Sequence, residues 1–313
     1  MFRQAVSMVA VAVACLWPLG AARAQAPVTI VTAFGAGSAA DIVARLLAIE
    51  FAPLLGVPVL VNNITGAAGT IAANQVVRAR PDGLTLLFTP IGPIAIQPNF
   101  MRNAGYVAAD LVPICMVNRA PLIMMTPRNS GLRTLADVVA RARAGNFPYG
   151  TTGVGTTPHL SMVMFARAAG VAMEHITYRG PGDVMVAFAR GDVLVMNDHP
   201  SSIRANDLHP IATLANERFP DFPDTPTFRE QGFDIAMHIW HGLFAPRATP
   251  EAVIQRIETA CAQSVRSEGM RVGHERIATP ITHQSAREFA ASVAADTERM
   301  RGIIEQNNLR QAE

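Results

Sequence analysis

The sequence predicts an α/β protein of two lobes, each a mainly parallel sheet flanked by helices. Three observations carry that prediction. Short β-branched runs alternate with helical periodicities in β-α-β-α-β order, the sequence pattern of a parallel, doubly wound sheet. The alternation occurs twice, through residues 28–90 and again through 135–198. The 313 residues, 50% hydrophobic and 16% charged, amount to about two domains' worth of chain and offer enough apolar surface to offset the entropy of ordering.

The elements follow in order. VTIVTAF (28–34) is a strand, and ADIVARLLAIEFAPLL (40–55) a helix whose spacing sets Ile42, Leu46 and Ile49 on one face. VPVLVNN (57–63) is a strand, GTIAANQVVRA (69–79) a helix, GLTLLFTP (83–90) a strand and APLIMMTP (120–127) a further strand. The second series begins with helix 135–144, strand 147–153 and helix 159–170. It continues through strand 174–180, helix 183–191, strand 192–198 and HPIATLA (209–215). RFPDFPDTPTF (218–228) is a proline-rich loop. HIWHGLFAP (238–246) is a late strand, and helices 250–267 and 285–308 close the chain.

Residues 1–24 read as a cleaved leader. Arg3 precedes an apolar run at 5–16, Pro18 and Gly20 break it, and Ala22-Arg23-Ala24 places small residues before a cut after Ala24. The run is too short for a membrane span, which needs about 20 apolar residues. Export to the periplasm follows, and with it no cofactor of the NAD or ATP kind. All 26 basic residues are Arg, and two lie in the leader, leaving 26 − 2 = 24 against 24 acidic residues. Such a balance leaves no basic excess for phosphates, so nucleic acid is excluded as a partner. Cys115 and Cys261 survive processing and either pair or stay as buried thiols. No CxxC or His/Cys cluster suggests a metal site.

Three strand-to-helix junctions are glycine-rich: residues 34–39 (FGAGSA), 65–70 (TGAAGT) and 152–157 (TGVGTT). Glycine admits a ligand close to the backbone, and a helix N-terminus presents unpaired N–H groups with about half a positive charge. Ser38, Thr156 and Thr157 either add hydroxyl donors or cap the helices. Any one such loop reads as a tight turn. In both lobes at once, at the carboxyl ends of strands, they point to an anion in the intervening cleft. The first loop also matches the dinucleotide fingerprint through Gly35, Gly37 and Ala40, but Asn62-Asn63 stand where that fold needs an acid for the ribose. A dehydrogenase is rejected.

Single residues are less specific. His159 opens a helix beside Thr156 and Thr157, Arg179 precedes a Gly-Pro-Gly turn, and Asp198 ends a strand. These suit, in turn, a hydrogen bond, a carboxylate partner and an acceptor for a ligand hydroxyl or ammonium. His238 and His241 flank Trp240 at a spacing that puts them on opposite faces of a strand, which excludes a shared metal. No G-x-S-x-G or H-E-x-x-H pattern marks a catalytic centre.

Taken in order, residues 31–45 (VTAFGAGSAADIVAR), 59–73 (VLVNNITGAAGTIAA), 150–160 (GTTGVGTTPHL), 176–180 (ITYRG), 222–232 (FPDTPTFREQG) and 240–250 (WHGLFAPRATP) resemble the Bug family. These are the solute-binding proteins of tripartite tricarboxylate transporters. The resemblance implies a two-lobed, type II-like periplasmic binding protein, a monomer, that closes over a small carboxylate and delivers it to membrane transport subunits. It places Phe34, Ala36, Gly37, Ser38 and Ala39 from the first lobe and Thr152, Gly153, Thr156, Thr157 and His159 from the second at the ligand, with Thr89, Pro90, Arg179 and Asp198 completing the cleft. It also implies lobes at 25–123 plus 243–313 and at 124–242, with crossings near 123–126 and 240–244. The first loop departs from the family's proline pair and Gly-Gly, having Gly35-Ala36 and Gly37-Ser38. Two other readings are a secreted α/β hydrolase with His159 or His199 as base, and an orphan sensor feeding a signalling receptor.

Overall fold

A computed structural model describes residues 26–310; the expected leader lies outside them. The first unit opens with β1 (Val28–Thr32), α1 (Ala39–Leu55), β2 (Val59–Asn63), α2 (Thr70–Val77) and β3 (Thr85–Pro90). A π-helical turn, Gly92–Ile96, runs into the short α3 (Gln97–Phe100), and β4 (Leu111–Pro121) follows. The second unit comprises β5 (Ile123–Thr126), α4 (Leu135–Arg143), β6 (Pro148–Thr151), α5 (Thr157–Ala169), β7 (Glu174–Thr177), α6 (Pro181–Arg190), β8 (Met196–Asp198), α7 (Ser201–Asn206) and β9 (His209–Thr213). The chain then returns through β10 (His238–Pro246), α8 (Glu251–Ser264), α9 (Glu268–Arg276), β11 (Ile281–Gln284) and α10 (Ala286–Gln306).

The first sheet has the order β11-β4-β10-β3-β1-β2. β2, β1 and β3 pair in parallel, with Ile30 opposite Val61 on one side and Leu86 on the other. β10 and β4 are the strands by which the chain leaves and returns, so they run in opposite senses, and β10 joins β3 antiparallel as well. The expected strand at 120–127 is therefore two strands in two sheets. Leu122 is the break: its N–H donates to Met237 O and its carbonyl accepts from Leu214 N–H. In the second unit β5 lies antiparallel between β8 and β9, β6 pairs with β7 in parallel, and a bridge from Tyr149 to Val195 links the two sets.

Helix α1 shows how burial follows local chemistry. Ser38 caps its N-terminus and Gly56, at φ 68°, ends it in the left-handed region. Its core face is Val43, Leu47 and Phe51 with Ala40, Ala44 and Ala48, the small side chains allowing close approach to the sheet. The expected face was different: Ile49 is 68% exposed. Leu46 instead packs on Gly273 of α9, where a Cβ would lie 2.3 Å from it. Cys115 in β4 and Cys261 in α8 form a disulfide across this core, with Cα atoms 6.7 Å apart. Among the described residues no helix is long and apolar enough to cross a membrane.

Candidate functional site

A cavity of about 230 Å³ lies where the carboxyl ends of β1, β3, β6 and β8 meet. Pockets for drug-sized molecules run to about 300–1,000 Å³, so this one suits a smaller solute. Phe34, Gly37, Ser38, Ala39 and Pro90 line it from the first unit, and Thr152, Thr156, Thr157 and Asp198 from the second.

Two helices begin at this cavity. At α1, Ser38 N–H donates to Gly35 O (3.2 Å) and the Ser38 hydroxyl oxygen accepts from Asp41 N–H (3.2 Å). The amides of Ala39 and Ala40, which also line the cavity, have no partner among the described residues. At α5, Thr156 Oγ1 accepts from His159 N–H (3.4 Å) and donates to Gly153 O (2.8 Å). The Thr156 proton is thus engaged in the turn, and the residue is a cap instead of a ligand donor. Thr157 differs: both its N–H and its hydroxyl lack a partner among the described residues, although the residue is only 2% exposed. Pro158 follows and has no N–H to offer.

The first loop is fixed by a residue the sequence showed only as a missing acid. Asn63 Nδ2 donates to Phe34 O (2.9 Å) and to Asp41 Oδ1 (2.8 Å), and Gly37 N–H donates to Asp41 Oδ2 (3.0 Å). Burial raises the Asp41 pKa, but Arg45, the Gly37 amide and Asn63 outweigh it and hold the carboxyl below its usual range. One loop amide is therefore taken internally, which directs a guest to Ala39 and Ala40.

The rest of the wall is built around Asp198, with neighbours that the sequence analysis did not place there. Ser202 Oγ donates to Asp198 Oδ2 (2.6 Å), and burial pushes the Asp198 carboxyl up against that bond and the His199 amide. His199 Nδ1 accepts from Ser201 N–H (3.2 Å), while Nε2 lies 3.3 Å from Thr279 Oγ1. Its lone pair is thus already tied to a main-chain amide, and a hydroxyl instead of a carboxylate stands behind it. That arrangement braces the β8–α7 turn and does not form a charge-stabilised base. His241, buried against Asn118 (2.8 Å), also lines the cavity, as do Ser201, Ser202, Arg204 and Arg276. The polar run Asp198-His199-Pro200-Ser201-Ser202 at a strand's carboxyl end was the available signal. Arg204 is already bonded to Glu275 O and Asp221.

A second cavity, about 540 Å³, lies on the other side of Phe34 and Thr152, which line both. Gly153 and the exposed Arg179 belong to it, with the loop at residues 65–69 opposite. Here the two units touch directly: Gln97 Nε2 donates to Gly155 O (2.8 Å), and the Phe100 ring fills the space a side chain at Gly155 would need. Three expected residues line neither cavity. Ala36 is exposed on its loop, Thr89 is inside the sheet with its hydroxyl on Pro90 O, and His159 turns back to accept from Gly155 N–H (3.2 Å). The His159 ring lies 4.3 Å from His175 at a tilt of 40°, and burial drives its pKa to about 4.

The model of the tripartite tricarboxylate transporter family receptor matches residues 43–309. The solved periplasmic binding protein BugD is 26% identical and superposes with a TM-score of 0.85 over 91% of this chain and 99% of its own. MatC of Rhodopseudomonas palustris, solved with bound malate, is 26% identical with a TM-score of 0.83, over 89% and 98%. Rpa4515 of R. palustris, solved with adipate, is 26% identical with a TM-score of 0.85, over 93% and 98%. The chain belongs to the tripartite tricarboxylate transporter receptor family, whose solved members share this two-lobed periplasmic binding fold.

Proposed function

We propose that the protein is exported to the periplasm, its leader cut after Ala24, where it captures a small organic carboxylate and presents it to a tripartite tricarboxylate-type membrane transporter. The lobes are 25–123 plus 243–313 and 124–242, and the guest bridges them. The observation that carries this reading is that α1 and α5, one from each half, begin at the same cavity with the Ala39, Ala40 and Thr157 amides unpartnered among the described residues. A desolvated carboxylate requires several converging donors, and these amides supply them, with the Arg276 side chain on the same cavity wall. A guest touching both halves favours closure by the extra contacts made only there. The neighbours solved with malate and adipate support a dicarboxylate, and Asp198 is positioned to accept from a hydroxyl such as malate's. The chain acts alone as a monomer and turns nothing over.

The test is calorimetry with malate and adipate on the processed chain. Thr157→Val removes a hydroxyl with no hydrogen bond among the described residues, and is expected to weaken binding by about tenfold with unchanged stability. Ser38→Gly loses the hydroxyl but keeps most of the capping preference, and is expected to weaken binding at a stability cost of a few tenths of a kcal/mol. Unaltered affinity in both variants would place the guest elsewhere.

A further inference from the structure

Strand β10 has two functional faces. Ile239 and His241 look into the cleft, whereas His238 and Trp240 point the other way. Behind them is a recess of about 470 Å³ lined by Arg119, Asn216, His238, Asp296 and Arg299 among others.

The charges in this recess do not balance. Arg119 Nη2 lies 3.1 Å from His238 Nδ1 and 2.8 Å from Nε2, and Arg299 Nη2 lies 3.5 Å from the same Nδ1. His238 Nε2 is also 3.2 Å from Asp296 Oδ2, so the ring lies between the carboxylate and the Arg119 guanidinium, which meets both ring nitrogens. Burial holds His238 below its ordinary pKa, in the neutral form. Asp296, 6% exposed, is further bonded by Trp240 Nε1 (2.8 Å) and paired with Arg299 (3.3 Å). Two guanidinium groups therefore share one carboxylate. The Nε and Nη1 protons of Arg119 have no partner among the described residues.

We propose that this recess is a second anion site, distinct from the interlobe cleft, which takes a small oxyanion, phosphate or carboxylate, between the guanidinium groups of Arg119 and Arg299. The free edge of the Arg119 fork suits two oxygens of one anion, Arg299 supplies a second cation, and the Asn216 amide stands at the rim. A positive excess held in a partly buried concavity attracts a counter-ion more strongly than the same charges spread on a surface. The wall is formed by the end of β4, the start of β10, residues 214–216 and α10. An occupant would therefore touch the segments through which the chain passes between its sheets.

The processed chain is titrated in low-salt buffer with inorganic phosphate and, separately, with acetate. Trp240 fluorescence is the readout, because the only other tryptophan, Trp17, lies in the expected leader. A saturable change in Trp240 emission is expected with at least one anion, and which of them produces it identifies the oxyanion class. Arg119→Gln and Arg299→Gln are each expected to weaken that response by about tenfold, while Thr157→Val in the cleft leaves it unchanged. Arg299 is partly exposed on α10, so its variant keeps the fold even where Arg119→Gln does not. The proposal is overturned by the absence of a saturable response to either anion up to about 50 mM. It is equally overturned by wild-type affinity in the Arg299 variant, or by loss of the response in Thr157→Val.

Discussion

Replacing Cys115 and Cys261 together by alanine is expected to lower the free energy of unfolding by about 2–5 kcal/mol. The disulfide links residues 146 apart in sequence, so in the unfolded chain it closes a loop that contains the whole excursion through the second unit. Chain-entropy reasoning assigns a loop of that length about 5 kcal/mol, the upper end of what is measured. Both sulfur atoms are fully buried between the sheet and α8, so loss of packing adds to loss of the crosslink. The cleft should be spared, because neither cysteine touches it and the bond acts mainly on the unfolded state. Urea denaturation of oxidised and reduced wild type beside the double variant measures the effect. Coincident midpoints for the oxidised and reduced forms would show that the crosslink adds nothing.

That bond also marks the limit of what the sequence reveals. Two cysteines so far apart pair only through tertiary packing, and no local pattern encodes the contact. The alternation of β-branched runs and helical periods did disclose the order of elements, because each of those elements buries one face against a neighbour next to it in sequence. Helix α9 escaped notice: EGMRVGHER is polar almost throughout, and its fit depends on Gly273 lying against Leu46. The same contact explains why the wrong face of α1 was expected to be buried. Ile42, Leu46 and Ile49 have helical spacing, but the alanines at 40, 44 and 48 make the opposite stripe the one that can approach the sheet. At the candidate site, glycine and hydroxyl residues at strand ends were readable, since helix starts have local chemistry. The roles of Asn63, His199 and His241 were not, as each depends on a partner from a distant element.

Acidification from pH 7 to 4.5 is expected to cost at least about 5 kcal/mol of stability, the share of His199 and His159, with His241, which burial beside His199 and His274 also holds well below its ordinary value, adding in the same direction. Burial lowers His199 to about 3, with His274 nearby, and His159 to about 4, with His175 nearby, against 6.5 for an unhindered imidazole. Geometry gives the same result. His199 Nδ1 accepts from Ser201 N–H and His159 Nδ1 accepts from Gly155 N–H, so a proton on either nitrogen would face another N–H. The sign follows from linkage. A histidine whose folded pKa is depressed contributes nothing extra against the neutral unfolded ring above pH 6.5, and as pH falls the unfolded state gains protons that the folded state refuses. Each such site loses up to about 1.4 kcal/mol per pH unit below 6.5, and with the gradual onset near 6.5 two sites over two units come to about 5 kcal/mol. Asp198 acts in the opposite sense: its folded pKa is raised, so the stability it contributes is present at low pH and lost as pH rises. Denaturation midpoints at pH 7.0 and 4.5 test the balance. A His199→Asn, His159→Gln double variant should flatten the dependence, and an equal slope in variant and wild type would assign acid sensitivity to other groups. Protonating His159 also releases the Gly155 amide from within the Thr156 turn. Carboxylate binding should therefore weaken as pH falls through about 4, below the range in which stability is first lost, through the loop that holds Thr157 in place.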